Sequence, residues 1–289
     1  MLDFTEEFKE VKIFTGVFWY FFTILAVIFI AIFSNNESLY NNDNLLSLIS
    51  SSLFIIILLY KFRISKNKII LLIKDYLKKL NLKEIFGVVL TQIILSIGIS
   101  SLLIAITYYT FPEMLNSLLE DSPIAEASTY QGLIISMLIT VICAPISEEL
   151  LFRSIIFKRT SKRFNIYIGM IFSSIVFGIL HIELAIIGAF IFGIACCILY
   201  IKYKNILIPI TVHFLNNLLS FLPELFSDPT VVVESTPFTE SDAVSFLIVG
   251  TILFLIGMFF FIKFVMKNKE YLKSGFVSRN KEAFTSQNS

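Results

Sequence analysis

The chain has 289 residues, of which 56% are hydrophobic and only 16% charged, with 31 Phe among them. Soluble domains carry about 25% charged residues, so a chain this apolar could not hide its surface in water, and a soluble fold is excluded. The formal net charge of +1 offers no basic surplus for a nucleic acid, and no nucleic-acid partner is expected.

A membrane-crossing helix needs about 20 apolar residues, and eight runs approach that length. The first, 15–34, is too long for the core of a signal peptide. It follows the acidic Asp3, Glu6 and Glu7 and precedes no A-x-A site, so it reads as a retained first span. The second is 46–62. After it, Ile69, Ile70, Ile73, Tyr76, Leu77 and Leu80 recur at helical spacing opposite Lys74, Lys78 and Lys79. That pattern predicts a basic amphipathic helix over 69–82, lying on the inner leaflet. The third and fourth spans are 85–110 and 131–154. Three shortened spans follow in a dense stretch, 166–183, 185–201 and 206–222, where broken or tilted helices are expected. The last span is 244–266, and the polar tail from Asn268 to Ser289 is expected to be poorly ordered. Cys143, Cys196 and Cys197 sit inside apolar runs with no metal spacing and no disulfide framework, and read as small packing residues.

Charge sets the orientation, because cytoplasmic flanks are rich in Lys and Arg. The segment 63–83 holds Arg63, Lys66, Lys68, Lys74, Lys78, Lys79 and Lys83, and the later inner turns hold Lys158, Arg159, Lys162, Arg163, Lys202 and Lys204. The loops 35–44, 112–130 and 223–243 contain no Lys or Arg. The expected fold is therefore an all-α integral membrane protein with eight transmembrane helices and both termini cytoplasmic. No internal repeat or low-complexity tract divides it.

Three spans carry polar groups that lipid tolerates poorly, since a charged residue at mid-span costs roughly 2.5–3.5 kcal/mol. Such residues face the bundle interior and mark function. The first group is Glu148-Glu149-Leu150-Leu151-Phe152-Arg153, an E-E-x-x-x-R pattern. Glu149 and Arg153 stack on one helix face and can pair, whereas Glu148 points about 100° away and is free for other work. Pro145, just upstream, can kink the helix or free a carbonyl. Taken alone, this is also how a charged helix end with one salt bridge would read. The second group runs from Phe177 to His181, and the third from His213 to Asn217. These are the only two His in the chain. A lone buried His is more often structural; two in neighbouring spans beside a carboxylate doublet are not bland. H-E-x-x-H and G-x-S-x-G are both absent. A carboxylate, two imidazoles and an amide suit water activation and oxyanion stabilisation better than covalent catalysis.

In this order on separate spans, E-E-x-x-x-R, F-x-x-x-H and H-x-x-x-N resemble the motifs of the CAAX protease and bacteriocin-processing or self-immunity family (CPBP, or Abi). Its eukaryotic members are the prenyl-protein endopeptidases of the endoplasmic reticulum. The resemblance covers about 131–222, with every motif position filled. Residues 1–130 share only apolarity with it. The chain then divides into an N-terminal three-span region (1–130), a catalytic core (131–222) and a last loop, span and tail (223–289).

The resemblance implies an intramembrane endopeptidase that hydrolyses a peptide bond in a membrane-associated or lipid-anchored protein or peptide precursor. It makes Glu148 the general base, sharing a water with His181, while His213 and Asn217 stabilise the oxyanion. Glu149, Arg153 and Phe177 support them. A zinc alternative gathers Glu148, His181 and His213 as ligands with an open water position and leaves Glu149 as the base; the metal-free version, with no cofactor, is preferred. The implied partners are membrane lipid and a membrane-associated substrate, and the implied location is a bacterial plasma membrane. A non-proteolytic immunity or regulatory protein of the same family is the second reading, and a proton-coupled transporter the third. One difficulty stands. Counting along the spans puts His213 roughly 10 Å from the inner end of its helix and His181 near the outer end of its own.

Overall fold

Polar capping residues start the helices. Asn42, Ser65, Asn81, Thr129 and Asn165 each accept a backbone N–H of the first turn through the side chain, satisfying donors that a helix start leaves open. A computed structural model of the chain describes residues 9–34, 42–115, 129–181, 183–228 and 237–286, without side chains for Glu183 and after residue 273. Among the described residues the helices are α1 (Ile13–Phe33), α2 (Asp43–Lys61), α3 (Lys66–Lys79), α4 (Leu82–Thr110), α5 (Tyr130–Arg163), α6 (Ile166–Ile179), α7 (Ile186–Tyr203), α8 (Leu207–Leu225) and α9 (Glu240–Ser286). There is no strand among them.

Each of the eight apolar runs falls on a helix, but among the described residues six helices are long and apolar enough to cross a membrane: α1, α2, α4, α5, α7 and α9. The count of eight is therefore met only in part, for two physical reasons. Helix α6 has 14 residues, a length of about 21 Å against a hydrocarbon core of about 30 Å. Helix α8 has 19 residues, but His213, Asn216, Asn217 and Pro223 interrupt its apolarity. The loops that carry no Lys or Arg lie largely outside the described residues.

The amphipathic helix forms as α3, and its apolar Ile69, Ile73 and Leu77 are exposed. It is tied to the turn between α7 and α8. Lys79 Nζ donates to the Tyr203 carbonyl at 2.8 Å, and Asn205 Nδ2 donates to the Leu72 carbonyl and the Asp75 carboxylate, both at 3.0 Å. Burial pushes the Asp75 carboxyl up, but the hydrogen bonds from Lys79 and Asn205 outweigh it and hold the group below its ordinary value.

The tail differs from expectation. Helix α9 does not stop after the last apolar run but continues through Asn268 to Ser286. No Pro interrupts it, Lys273 pairs with Glu270 one turn away at 3.3 Å, and propagation adds a backbone bond for every residue fixed.

Helices α4 and α9 pack along each other over the longest stretch. A Cβ on Gly98 would lie 2.6 Å from the Phe254 backbone nitrogen, and one on Gly250 would lie 3.0 Å from that of Leu102. Small residues allow this approach where lipid supplies no hydrophobic drive between helices.

Candidate active site

Helix α5 changes register twice, with π-helical turns at Leu138–Cys143 and Phe152–Phe157 on either side of the carboxylate doublet. Pro145 explains part of the first. In the π register the Ala144 N–H reaches the Ile139 carbonyl, so the Thr140 carbonyl would look to residue 145, which is Pro and has no N–H. Asn217 Nδ2 on α8 fills that vacancy, donating to the Thr140 carbonyl at 2.8 Å. One amide hydrogen of Asn217 is thus committed to the backbone, which the pattern H-x-x-x-N did not reveal.

Glu149 and Arg153 meet as their spacing predicts. Arg153 Nε lies 3.0 Å from Glu149 Oε2, with both side chains fully buried. The contact is ionic rather than an aligned hydrogen bond. The guanidinium rests instead on the Phe177 ring, with its carbon 4.7 Å from the centroid, and beside the Cys196 thiol. The other oxygen of Glu149 holds His213, at 3.0 Å from Nδ1. A carboxylate only accepts, so His213 Nδ1 carries the hydrogen and Nε2 faces the site, 3.9 Å from Glu148 Oε2.

His181 is fixed in the same way. Its Nδ1 lies 2.8 Å from the Phe177 carbonyl, which can only accept, so its Nε2 is again the free nitrogen. Phe177 sits between the imidazoles, with ring centroids 4.5 Å from His181 and 5.9 Å from His213. Helix α6 ends at Ile179, and both imidazoles pack on the Phe177 ring even though counting along the spans set them apart. Glu148 is 28% exposed at its side chain, and its carboxylate lies within electrostatic reach of both imidazoles, Arg153 and Tyr20 of α1.

Glu148, Glu149, Arg153, Phe177, His181 and His213 are therefore brought together, whereas Asn217, one turn from His213 on α8, is tied to the Thr140 carbonyl. Four further participants escaped the sequence reading: the Thr140 carbonyl, Phe192, whose ring is 5.1 Å from that of His213, Tyr20, and Cys196 beside Arg153. Only Cys196 had left a trace, as a small residue in a buried run. Glu148 and Glu149 together with Arg153 leave one formal negative charge at the site.

Metal fit is divided. Anchoring each His through Nδ1 to a carbonyl or carboxylate is what a metal-ligating imidazole needs, and it equally suits an imidazole that handles protons. Among the described residues, however, no three His, Cys, Asp or Glu groups converge closely enough to hold a metal ion. No step is routed through one.

Comparison with known proteins agrees with the motifs. Residues 130–219 match the family described as type II CAAX prenyl endopeptidase Rce1-like. A Bacillus subtilis (strain 168) protein named as a candidate membrane peptidase, YdiL, is 32% identical over 88 residues, 30% of this chain and 36% of that protein. The match thus spans about a third of the curated relative. No solved structure matches. The resemblance carried by the three motifs is shown over 130–219, and at family level it points to a CAAX-type protease in a multi-pass membrane protein.

Proposed function

We propose that the chain is an intramembrane endopeptidase that uses Glu148 to activate water against a peptide bond in a membrane-associated or lipid-anchored substrate. The supporting observation is the pair of imidazoles, each anchored through Nδ1 and each presenting Nε2, beside a carboxylate that carries no ion pair with Lys or Arg among the described residues. The Glu148 carboxylate takes the proton of a water positioned by His181 Nε2. The hydroxide attacks the scissile carbonyl, and the resulting oxyanion accepts a hydrogen bond from the Nε2–H of protonated His213, with the second amide hydrogen of Asn217 beside it. Glu149 holds His213 and is itself held by Arg153. Glu148 then returns the proton to the departing amine. Preorganised donors of this kind contribute about 2.7–4 kcal/mol each, and a general base about 10²–10⁴-fold.

The same proposal has eight spans, with α6 and α8 completing the six longer helices, both termini cytoplasmic, and a bacterial plasma membrane as the location. Reporters inserted at Ser122 and Ser235 are expected outside, and one after Lys267 inside.

The test is comparative membrane peptidomics of wild type against Glu148→Gln, a change that keeps shape and removes the base. Cleavage products present in wild type should fall about 10³-fold or more, with abundance and melting midpoint unchanged. Identical peptide sets would reject the protease. If a bacteriocin-resistance phenotype survived in the variant, the non-proteolytic immunity reading would replace it. Elemental analysis addresses the metal. One equivalent of zinc, lost together with activity on chelation and restored on re-addition, would replace the metal-free mechanism.

A further inference from the structure

A second cavity lies away from the site, at the Lys-rich end of the bundle between α4 and α9. It measures about 390 Å³. Lys83, Lys263 and Lys267 line it together with Gly87, Phe260 and Phe264. On α4, Lys83, Gly87 and Thr91 follow one another at four-residue spacing, so they form one row along the helix. On α9, Phe260 and Phe264 form a matching apolar row, with Lys263 beside it and Lys267 one turn beyond its end.

The charge of these lysines is not cancelled from within. Glu84 is the one acidic group lining the cavity, and it is engaged elsewhere. Its carboxylate is 5% exposed, lies 2.6 and 2.7 Å from Lys202 Nζ, and accepts a hydrogen bond from the Tyr203 hydroxyl. Lys267 Nζ approaches it only to 4.0 Å and is 67% exposed. Lys83 and Lys263 have no hydrogen bond or ion pair among the described residues. The trough is open as well as apolar, since a Cβ added to Gly87 would meet nothing within 4 Å.

We infer that this cavity is a binding site for one anionic phospholipid, its phosphate held by Lys83, Lys263 and Lys267 and an acyl chain laid along Gly87, Phe260 and Phe264. Basic pockets between membrane helices bind anionic headgroups. A soluble anion would use the lysines alone; the side-chain-free strip continuous with them fits a molecule with a hydrocarbon tail. The inference rests on the membrane-spanning reading and not on the protease, because no residue of the site takes part.

The test uses the full chain, delipidated in detergent and then equilibrated with equal phosphatidylglycerol and phosphatidylcholine, with bound lipid counted by native mass spectrometry. Wild type should retain one phosphatidylglycerol in preference to phosphatidylcholine. Lys83→Gln with Lys263→Gln should weaken that retention by about fivefold per lysine. Gly87→Leu should weaken it with every charge in place, because the new side chain fills the trough. Lys66→Gln with Lys74→Gln, on α3, should leave it unchanged. Equal loss in the α3 variant would replace the site with a diffuse surface field. Retention that Gly87→Leu does not alter, with full competition by free glycerol phosphate, would make it a headgroup-only anion site and overturn the lipid. No preference in wild type would overturn it outright. Should the double lysine variant fail to fold, Gly87→Leu decides alone.

Discussion

Helices α7 and α9 are both strongly apolar, with mean hydropathies of 2.1 and 2.6, yet 72% of the apolar stretch of α7 is buried and only 11% of that of α9. Helix α1, at 2.5 and 22%, resembles α9. In water, apolarity predicts burial; in a bilayer it predicts only compatibility with lipid. What separates α7 is residue size. Gly188, Ala189, Gly193, Ala195, Cys196 and Cys197 are all buried on it, and neighbours can close in around them. Helix α9 instead turns Ile248, Leu255, Phe259 and Ile262 outward. The candidate site is assembled against the small-residue helix, with Arg153 beside Cys196 and His213 against Phe192. The lipid cavity opens on the large-residue one.

The contrast is broken most severely at its centre by Glu149→Gln. This change leaves the Arg153 guanidinium fully buried with no carboxylate, and removing one partner of such a pair costs about 3–5 kcal/mol. The detergent melting midpoint and the yield of folded protein should both fall sharply, and activity with them because His213 loses its anchor. Glu149→Gln at wild-type stability but without activity would instead exchange the roles given to the two carboxylates. Asn217→Ala comes next. It orphans the Thr140 carbonyl, a loss of about 1–3 kcal/mol, and should lower the midpoint as well as turnover. Asn217→Asp should be the worse of the two, since it places a carboxylate against a carbonyl and beside a developing oxyanion. A tolerated Asp that also bound zinc would favour the metal reading.

The helical class and the rough bounds of the eight runs were legible because apolar length is written directly in the sequence. The pair Glu149–Arg153 was legible because four-residue spacing on a helix is a geometric statement. The bond from Glu149 to His213 was not, since it joins α5 to α8 and no local pattern encodes it. The π turns around Glu148 were hidden too: Pro145 announced a freed carbonyl but not the change of register that decides which carbonyl it is. The meeting of His181 and His213 was obscured because counting residues along two spans says nothing of how their helices sit against each other, although 166–183 already read as a shortened span. The continuation of α9 was obscured by equating the end of apolarity with the end of the helix.

Two glycines sharpen the comparison more gently. A Cβ on Gly193 of α7 would lie 3.0 Å from Ser174 Cβ and Oγ and 3.1 Å from its Cα, so Gly193→Ala must push α6 and α7 apart at a cost of about 1–3 kcal/mol. The same change at Gly87, where nothing lies within 4 Å, keeps only the helix-propensity gain of Ala over Gly, about 1 kcal/mol. Thermal melting of the two variants should move in opposite directions. Equal movement would show that the central helix is no more tightly packed than the rim.

The smallest effect belongs to the rim just before α1, where Glu10 lies 2.8 Å from Arg159 and also pairs with Lys162, with all three side chains between 31% and 38% exposed. The hydrogen bond from Lys162 holds the Glu10 carboxyl below its ordinary value against the opposing effect of partial burial, and the charges of Lys162, Arg159 and Lys158 add to it. The folded value is thus below the unfolded one. The stabilisation is fully present above the ordinary glutamate range and is lost as pH falls through it towards the depressed folded value. Exposed pairs of this kind are worth under about 1 kcal/mol and are screened by salt. Glu10→Gln should therefore lower the neutral-pH midpoint only slightly, and the gap from wild type should close both on acidification and at about 1 M salt. The Glu149→Gln gap should not respond to salt, because that pair is fully buried. A Glu10 effect as large as that of Glu149, or one that widened in acid, would erase the distinction between a packed centre that depends on its charges and a rim that does not.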